Sequence, residues 1–120
     1  MQRILGPGLL ESAYEECLAY ELQTRGMPFE RQRPLPVEYK GIRLDCGYRI
    51  GLLVAGLVVV EVKAIASLES IHEAQLLTYL KLGSWPVGLL MNFNVPILKR
   101  GIQRMVNNLI HPSASSVPLR

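Results

Sequence analysis

Several things this chain has little of limit what it can be. Its only cysteines, Cys17 and Cys46, form no CxxC pair, and its two histidines, His72 and His111, lie far apart. A zinc site built on close Cys/His spacing is therefore excluded, as is a disulfide framework of the secreted kind. Reduced thiols and a cytoplasmic location are the expectation. No stretch approaches the roughly 20 apolar residues that span a bilayer, and MQRILGPG is broken too early to act as a signal peptide, so no membrane role is expected. Thirteen basic against ten acidic residues leave a formal charge of only +3, with no long block of one sign. The pI of about 9.1 nevertheless admits a polyanionic partner such as nucleic acid. Internal repeats, low-complexity blocks and linkers are missing too. With 120 residues, 49% of them hydrophobic, the chain can fill one core. One domain over residues 1–110 is expected, followed by a flexible tail, HPSASSVPLR, over 111–120.

What is present alternates between two periodicities. Between Pro7 and Gly26 lies LLESAYEECLAYELQTR, with proline at the first turn and glycine past the last. Leu10, Ala13, Cys17 and Tyr20 or Glu21 hold a helical spacing and are the expected buried face. A neighbouring stripe of Gly8, Glu11, Tyr14 and Leu18 carries a carboxylate among groups that could also point inward. Prolines 34 and 36 exclude helix from Phe29 to Leu44, and VEYKGIRLD reads as two short strands about a Lys40-Gly41 turn. Tyr48 to Val54 and Leu57 to Lys63 then read as an antiparallel hairpin, nearly continuous in apolar residues and hence buried on both faces. SIHEAQLLTYLKLG is a second helix, with Ser70 and Glu73 as a capping box, Gly83 as terminator, and Ile71, Ala74, Leu77 and Leu80 or Lys81 at the helical spacing. Val87 to Phe93 is a further strand, and ILKRGIQRMVNNLI reads as a last helix weakened by Gly101. The order αβββαβα predicts an α/β (α+β) fold with a mixed central sheet flanked by helices.

The residues that interrupt this pattern are the ones that could do chemistry. In VVVEVKA, Glu61 and Lys63 place a carboxylate and an ammonium two apart on one strand face. Such a pair can hold a magnesium ion and steady developing negative charge, or it can be a solvated salt bridge. Gln75 and Tyr79, at i and i+4 on the second helix, can project from one side of it, or simply line a wet face. Glu11 can serve a site or only favour the helix dipole.

In order along the chain these residues resemble a known pattern. GPGLLESAY has the G-x-x-E-x-x-Y form at Gly8, Glu11 and Tyr14. With ERQRPLPVEYKG, LDCGYR, VVVEVKA, HEAQLLTYL and VGLLMNFN, the chain resembles the GxxExxY protein family, of the PD-(D/E)XK nuclease superfamily with its restriction-endonuclease-like fold. The resemblance implies hydrolysis of a DNA or RNA phosphodiester with magnesium or manganese. By position it implies Glu61 as metal ligand, Lys63 near the attacking water or the phosphate, and Glu11 as a carboxylate from the first helix. Gln75 and Tyr79 would shape the site and contact substrate, and Tyr14 and Arg49 fall at further motif positions.

One departure stands out. The segment Y-R-x-D reads YRIG here, with Gly51 where the acidic residue belongs. If three residues, Ala55 to Leu57, connect the two strands, position 51 lies directly across from Glu61, and the missing side chain is the one that completes a two-carboxylate site. Asp45, six residues earlier, is about 20 Å away along an extended strand and cannot substitute. Glu11 is the better second anionic ligand. Activity is expected to be weakened or lost, and the alternative is an inactive nuclease-fold module that binds nucleic acid or a protein partner. Family members carry a further helical segment ahead of the motif. Its shortness here suggests apolar surface available for self-association, giving a homo-oligomer.

Overall fold

The computed structural model describes residues 7–94 and 98–107. The expected tail at 111–120 lies outside the described residues. Helix α1 spans Pro7–Thr24, followed by β1 Phe29–Pro34, β2 Val37–Tyr39, β3 Ile42–Leu44, β4 Arg49–Val54 and β5 Val58–Lys63. Helix α2 spans Ser70–Gly83, then come β6 Val87–Asn92, a 3-10 turn Leu98–Gly101 and β7 Ile102–Val106. Five strands form one mixed sheet in the order β1-β4-β5-β6-β7, while β2 and β3 pair only with each other. Strands β5 and β6 are parallel and joined through α2, and the other neighbours are antiparallel. The two helices and the mixed sheet agree with a restriction-endonuclease-like fold.

Two apolar clusters pack on the sheet. Leu52, Val60 and Val62 are covered by Tyr14, Leu18 and Leu22 of α1. Leu53, Val59 and Leu90 pack with Leu76, Tyr79 and Leu80 of α2. Burial on both faces of β4 and β5 is what their continuous apolar sequence requires.

The expected last helix is corrected. Ile102–Val106 is a strand, paired antiparallel with β6 from Met91↔Ile102 to Val87↔Val106. Gly101 and β-branched Ile102 and Val106 disfavour helix there, and an open edge of β6 rewards extension. The helix faces agree with the expected ones in part: Leu10 of α1 and Leu80 of α2 are buried and Leu77 packs on the core, while other positions of the expected faces are turned outward. On α1 Cys17 is exposed and Tyr20 is 64% exposed, and the inward stripe runs through buried Leu10, Glu15 and Ala19 and half-buried Tyr14 and Leu18. On α2 Ile71 is 68% exposed, whereas Leu76, Tyr79 and Leu80 are buried. In both helices a neighbouring apolar stripe exists, and the sheet selects between the two.

The caps follow the same logic. Glu69, not Ser70, is the N-cap of α2, and the capping box is closed by His72, whose Nδ1 accepts the Glu69 N–H at 2.9 Å. Helix α1 ends in a Schellman motif: the Met27 N–H donates to the Leu22 C=O at 2.9 Å, with Gly26 left-handed at φ 69°. In α2 the left-handed residue is Ser84 (φ 57°), one past the expected Gly83. Gly83 is needed for space instead, since a Cβ there would meet the Trp85 ring.

Candidate functional site

The hairpin β4–β5 meets the condition set by its connection. Val54 pairs with Val58, leaving Ala55, Gly56 and Leu57 between them. The ladder runs only from Val54↔Val58 to Leu52↔Val60, although both strands continue. Beyond it Leu52 packs toward α1 and Ile50 toward α2, so two residues of one parity lie on opposite faces. Alternation therefore breaks at Gly51. The Glu61 carboxylate fills the opening and accepts the Gly51 N–H at 2.8 Å through Oε2. Position 51 thus does face Glu61, through a side chain rather than a backbone ladder.

Around this opening lies a cavity of about 240 Å³. Helix α1 contributes Glu11, Ser12 and Glu15, β1 contributes Gln32, β4 contributes Arg49 and Gly51, and β5 contributes Glu61, Val62 and Lys63. Four of the expected site residues, Glu11, Arg49, Glu61 and Lys63, are therefore together. Glu11 Oε2 accepts the Ala64 N–H at 3.2 Å, tying α1 to the end of β5. Gln75 and Tyr79 do not line the cavity. Gln75 donates through Nε2 to the Tyr79 hydroxyl at 2.9 Å, and the Tyr79 ring belongs to the α2-side core. Tyr79 is still close enough to feel the site. Its pKa is raised above 10.0, first by burial and then by the charge of Glu61, against the pull of the Gln75 bond. Tyr14 stacks on Phe93, ring centroids 4.6 Å apart, and is part of the α1-side packing. Asp45 accepts the Gly47 N–H at 3.0 Å in the turn after β3 and does not reach Glu61.

Four residues had not stood out. Glu15, only 8% exposed, is the buried carboxylate of α1. Arg31 holds it through Nε and Nη2, both 3.2 Å from Oε2, and Gln32 Nε2 lies 3.1 Å from Oε1. The fourth is Asn92, opposite Lys63 in the parallel pair and 1% exposed. Its Oδ1 accepts the Ile65 N–H at 3.1 Å and its Nδ2 donates to the Ile65 C=O at 3.0 Å, so a side-chain amide extends the β5–β6 ladder just past Lys63.

The environment of Glu61 shifts its titration upward. Burial raises its pKa above the ordinary 4.5, the Gly51 N–H and Lys63 pull it back, and the charges of Glu15 and Glu11 push it up again.

The chain belongs to the PD-(D/E)XK nuclease superfamily: the family model of that description matches residues 1–105. No curated protein and no solved structure gives a significant match to it. Enzymes of this superfamily generally use divalent metals. The residues here do not fit one. Among the described residues no three His, Cys, Asp or Glu side chains converge as a metal site. Position 51 supplies no carboxylate, one Glu61 oxygen is taken by the Gly51 N–H, Glu11 is bonded to Ala64, and Glu15 is neutralised by Arg31.

Proposed function

We propose that this protein is a GxxExxY-type member of the superfamily that binds nucleic acid through the cavity on α1, β4 and β5 and has lost metal-dependent hydrolysis. The observation that carries this reading is Gly51: its N–H, not a second carboxylate, meets Glu61. Hydrolysis by a site of this kind relies on two hard oxygen ligands to fix an ion and its water. Arg49 and Lys63 line the same cavity and offer two cations to a phosphodiester backbone. With the overall positive charge, they support a salt-sensitive interaction.

The test uses purified protein and Glu61→Gln with single- and double-stranded DNA and RNA, in magnesium and in manganese. The expected result is no cleavage by either protein. Cleavage by the parent that Glu61→Gln abolishes overturns this reading. Retention on immobilised nucleic acid should fall as salt rises and weaken further in Arg49→Ala/Lys63→Ala. Retention that is absent, or indifferent to salt, would leave a protein partner or self-association as the role of the fold. A second reading, residual hydrolysis with magnesium or manganese, is favoured by the meeting of Glu11, Glu61 and Lys63 in one cavity, and the same cleavage assay decides it.

A further inference from the structure

Tyr48 stands immediately before Arg49, where β4 begins. Its backbone is fixed on both sides. The Tyr48 C=O accepts the Leu35 N–H at 2.9 Å, and the turn ahead of it is closed by Asp45 on the Gly47 N–H, with Gly47 left-handed at φ 78°. The side chain is nevertheless 46% exposed. A single exposed aromatic needs no explanation by itself, and here it is the neighbours that give the ring a place.

One side of the Tyr48 ring is supported by Tyr79 of the α2-side core, with centroids 6.3 Å apart and planes tilted by 48°. Tyr79 accepts a hydrogen bond from Gln75 and feels the charge of Glu61, so Tyr48 stands at the same opening between β4 and β5 as the cavity, on the α2 face of the sheet. Arg49, the next residue, takes the other face and lines the cavity with Lys63. It is exposed and forms no salt bridge among the described residues. The start of β4 thus carries a cation on one side and a supported aromatic ring on the other, in consecutive residues. A nucleotide is divided in the same way, with its phosphate on one side of the sugar and a flat base on the other. With the phosphate held by Arg49 and Lys63, the attached base can lie on Tyr48 only when it is not already paired and stacked inside a duplex.

We infer that Tyr48 is a stacking platform for an unpaired base, and that the nucleic acid taken by this site is single-stranded. The inference rests on the proposed binding of nucleic acid and adds the form of the strand and the residue that selects it. Every base has a π face, so the selection is for strandedness and not for sequence.

The experiment is fluorescence anisotropy of the full chain with short labelled oligonucleotides: a single strand of mixed sequence, as DNA and as RNA, its duplex, and an abasic single strand of the same length, which keeps the phosphates and lacks the bases. The proteins are the parent, Tyr48→Phe, Tyr48→Leu and Tyr48→Ala. The parent should bind the base-bearing single strand more tightly than the duplex, and either sugar satisfies the inference. Tyr48→Ala and Tyr48→Leu should bind that strand about 5- to 150-fold more weakly, the loss of one base–aromatic stack, while their affinity for the abasic strand stays that of the parent. Tyr48→Phe keeps the ring and should bind as the parent does. Salt dependence should be the same for all of them, because no charge is altered. Leucine fills the space against Tyr79 without a π face, so it decides the matter should Tyr48→Ala not fold. A parent that prefers the duplex overturns the inference, as does a Tyr48→Leu protein that binds the single strand as tightly as the parent, or one whose loss is equally large on the abasic strand. Salt-sensitive retention that persists beside any of these leaves the nucleic-acid reading standing, whereas a parent that binds no nucleic acid overturns both.

Discussion

Glu61 shows how one residue can trade stability for a site. Its pKa is higher in the folded chain than its ordinary 4.5, first because it is buried. The folded state therefore binds the proton more tightly, so this group's contribution is most favourable at pH below 4.5 and is lost as pH rises through the raised value. Glu61→Gln keeps an acceptor for the Gly51 N–H and removes the ionisation. It is expected to melt a few degrees higher than the parent at neutral pH, with the difference shrinking in acid, as a pH series of melting curves will show. Gly51→Asp has the opposite expectation. The new side chain stands tight against Glu15 Oε1 and the Val60 carbonyl, which must give way slightly, and it adds a third carboxylate. A loss of about 1–3 kcal/mol in urea denaturation is expected, with part of it recovered by Glu15→Ala. The identity of Glu61 and Lys63 as the charged pair was legible in VVVEVKA, because charges in a β-branched run demand a reason. Glu15 was not legible, since a glutamate on a helix gives no sign of burial until the face is known.

At the scale of elements, two contacts hold the ends of the strands that frame the cavity. Asn92 gives both halves of its amide to Ile65, and Asn94 Nδ2 also donates to the Ile65 C=O at 3.1 Å. Asn92→Ala leaves the Ile65 N–H without its acceptor and should cost about 1–3 kcal/mol. Hydrogen exchange should accelerate at Ala64 and Ile65 more than in α2, which would separate a local release of β5 from general weakening. At the end of α2, Ser84→Gly relieves a left-handed serine and should stabilise by about 1 kcal/mol, whereas Gly83→Ala drives a methyl into Trp85 and should destabilise by about 1–3 kcal/mol. Chemical denaturation of the two variants gives opposite signs if this account of the cap is right. Both helices were readable as helices from their spacing. Their buried faces are legible only in part, through Leu10, Leu77 and Leu80, because each helix carries neighbouring apolar stripes and only the sheet's position chooses between them. The strand at Ile102–Val106 has the sequence of a helix for a related reason: its local pattern is ambiguous, and the open edge of β6 decides.

For the whole molecule, stability is carried by the sheet and its two helix-covered faces rather than by the small β2–β3 pair. Leu52 and Leu53 are buried in the two different clusters. Leu52→Ala and Leu53→Ala should each cost about 2–5 kcal/mol, a large share of the roughly 5–15 kcal/mol typical of a domain. Tyr39 and Ile42, paired across the β2–β3 turn and 59% and 61% exposed, should tolerate serine with a change below about 0.5 kcal/mol. Equilibrium unfolding checks both expectations. No helix among the described residues is long and apolar enough to cross a membrane. A larger hollow of about 590 Å³ beside Arg33, Arg43 and Asp45 is open, and it lies apart from the Glu61 cavity.

The order of residues alone decides a good deal here: helix or strand over most of the chain, the Lys40-Gly41 turn, the charged pair on β5, and the want of a carboxylate at Gly51. These follow from local periodicity and from the chemistry of single side chains, which need no partner to be recognised. Only the fold decides that β4 and β5 part beyond Leu52↔Val60, that Glu15 occupies the place beside Gly51, and that Arg31 and Gln32 converge on it. Those facts depend on how far apart elements distant in sequence come to rest, and a carboxylate's role is set by what lies within a few ångströms of it.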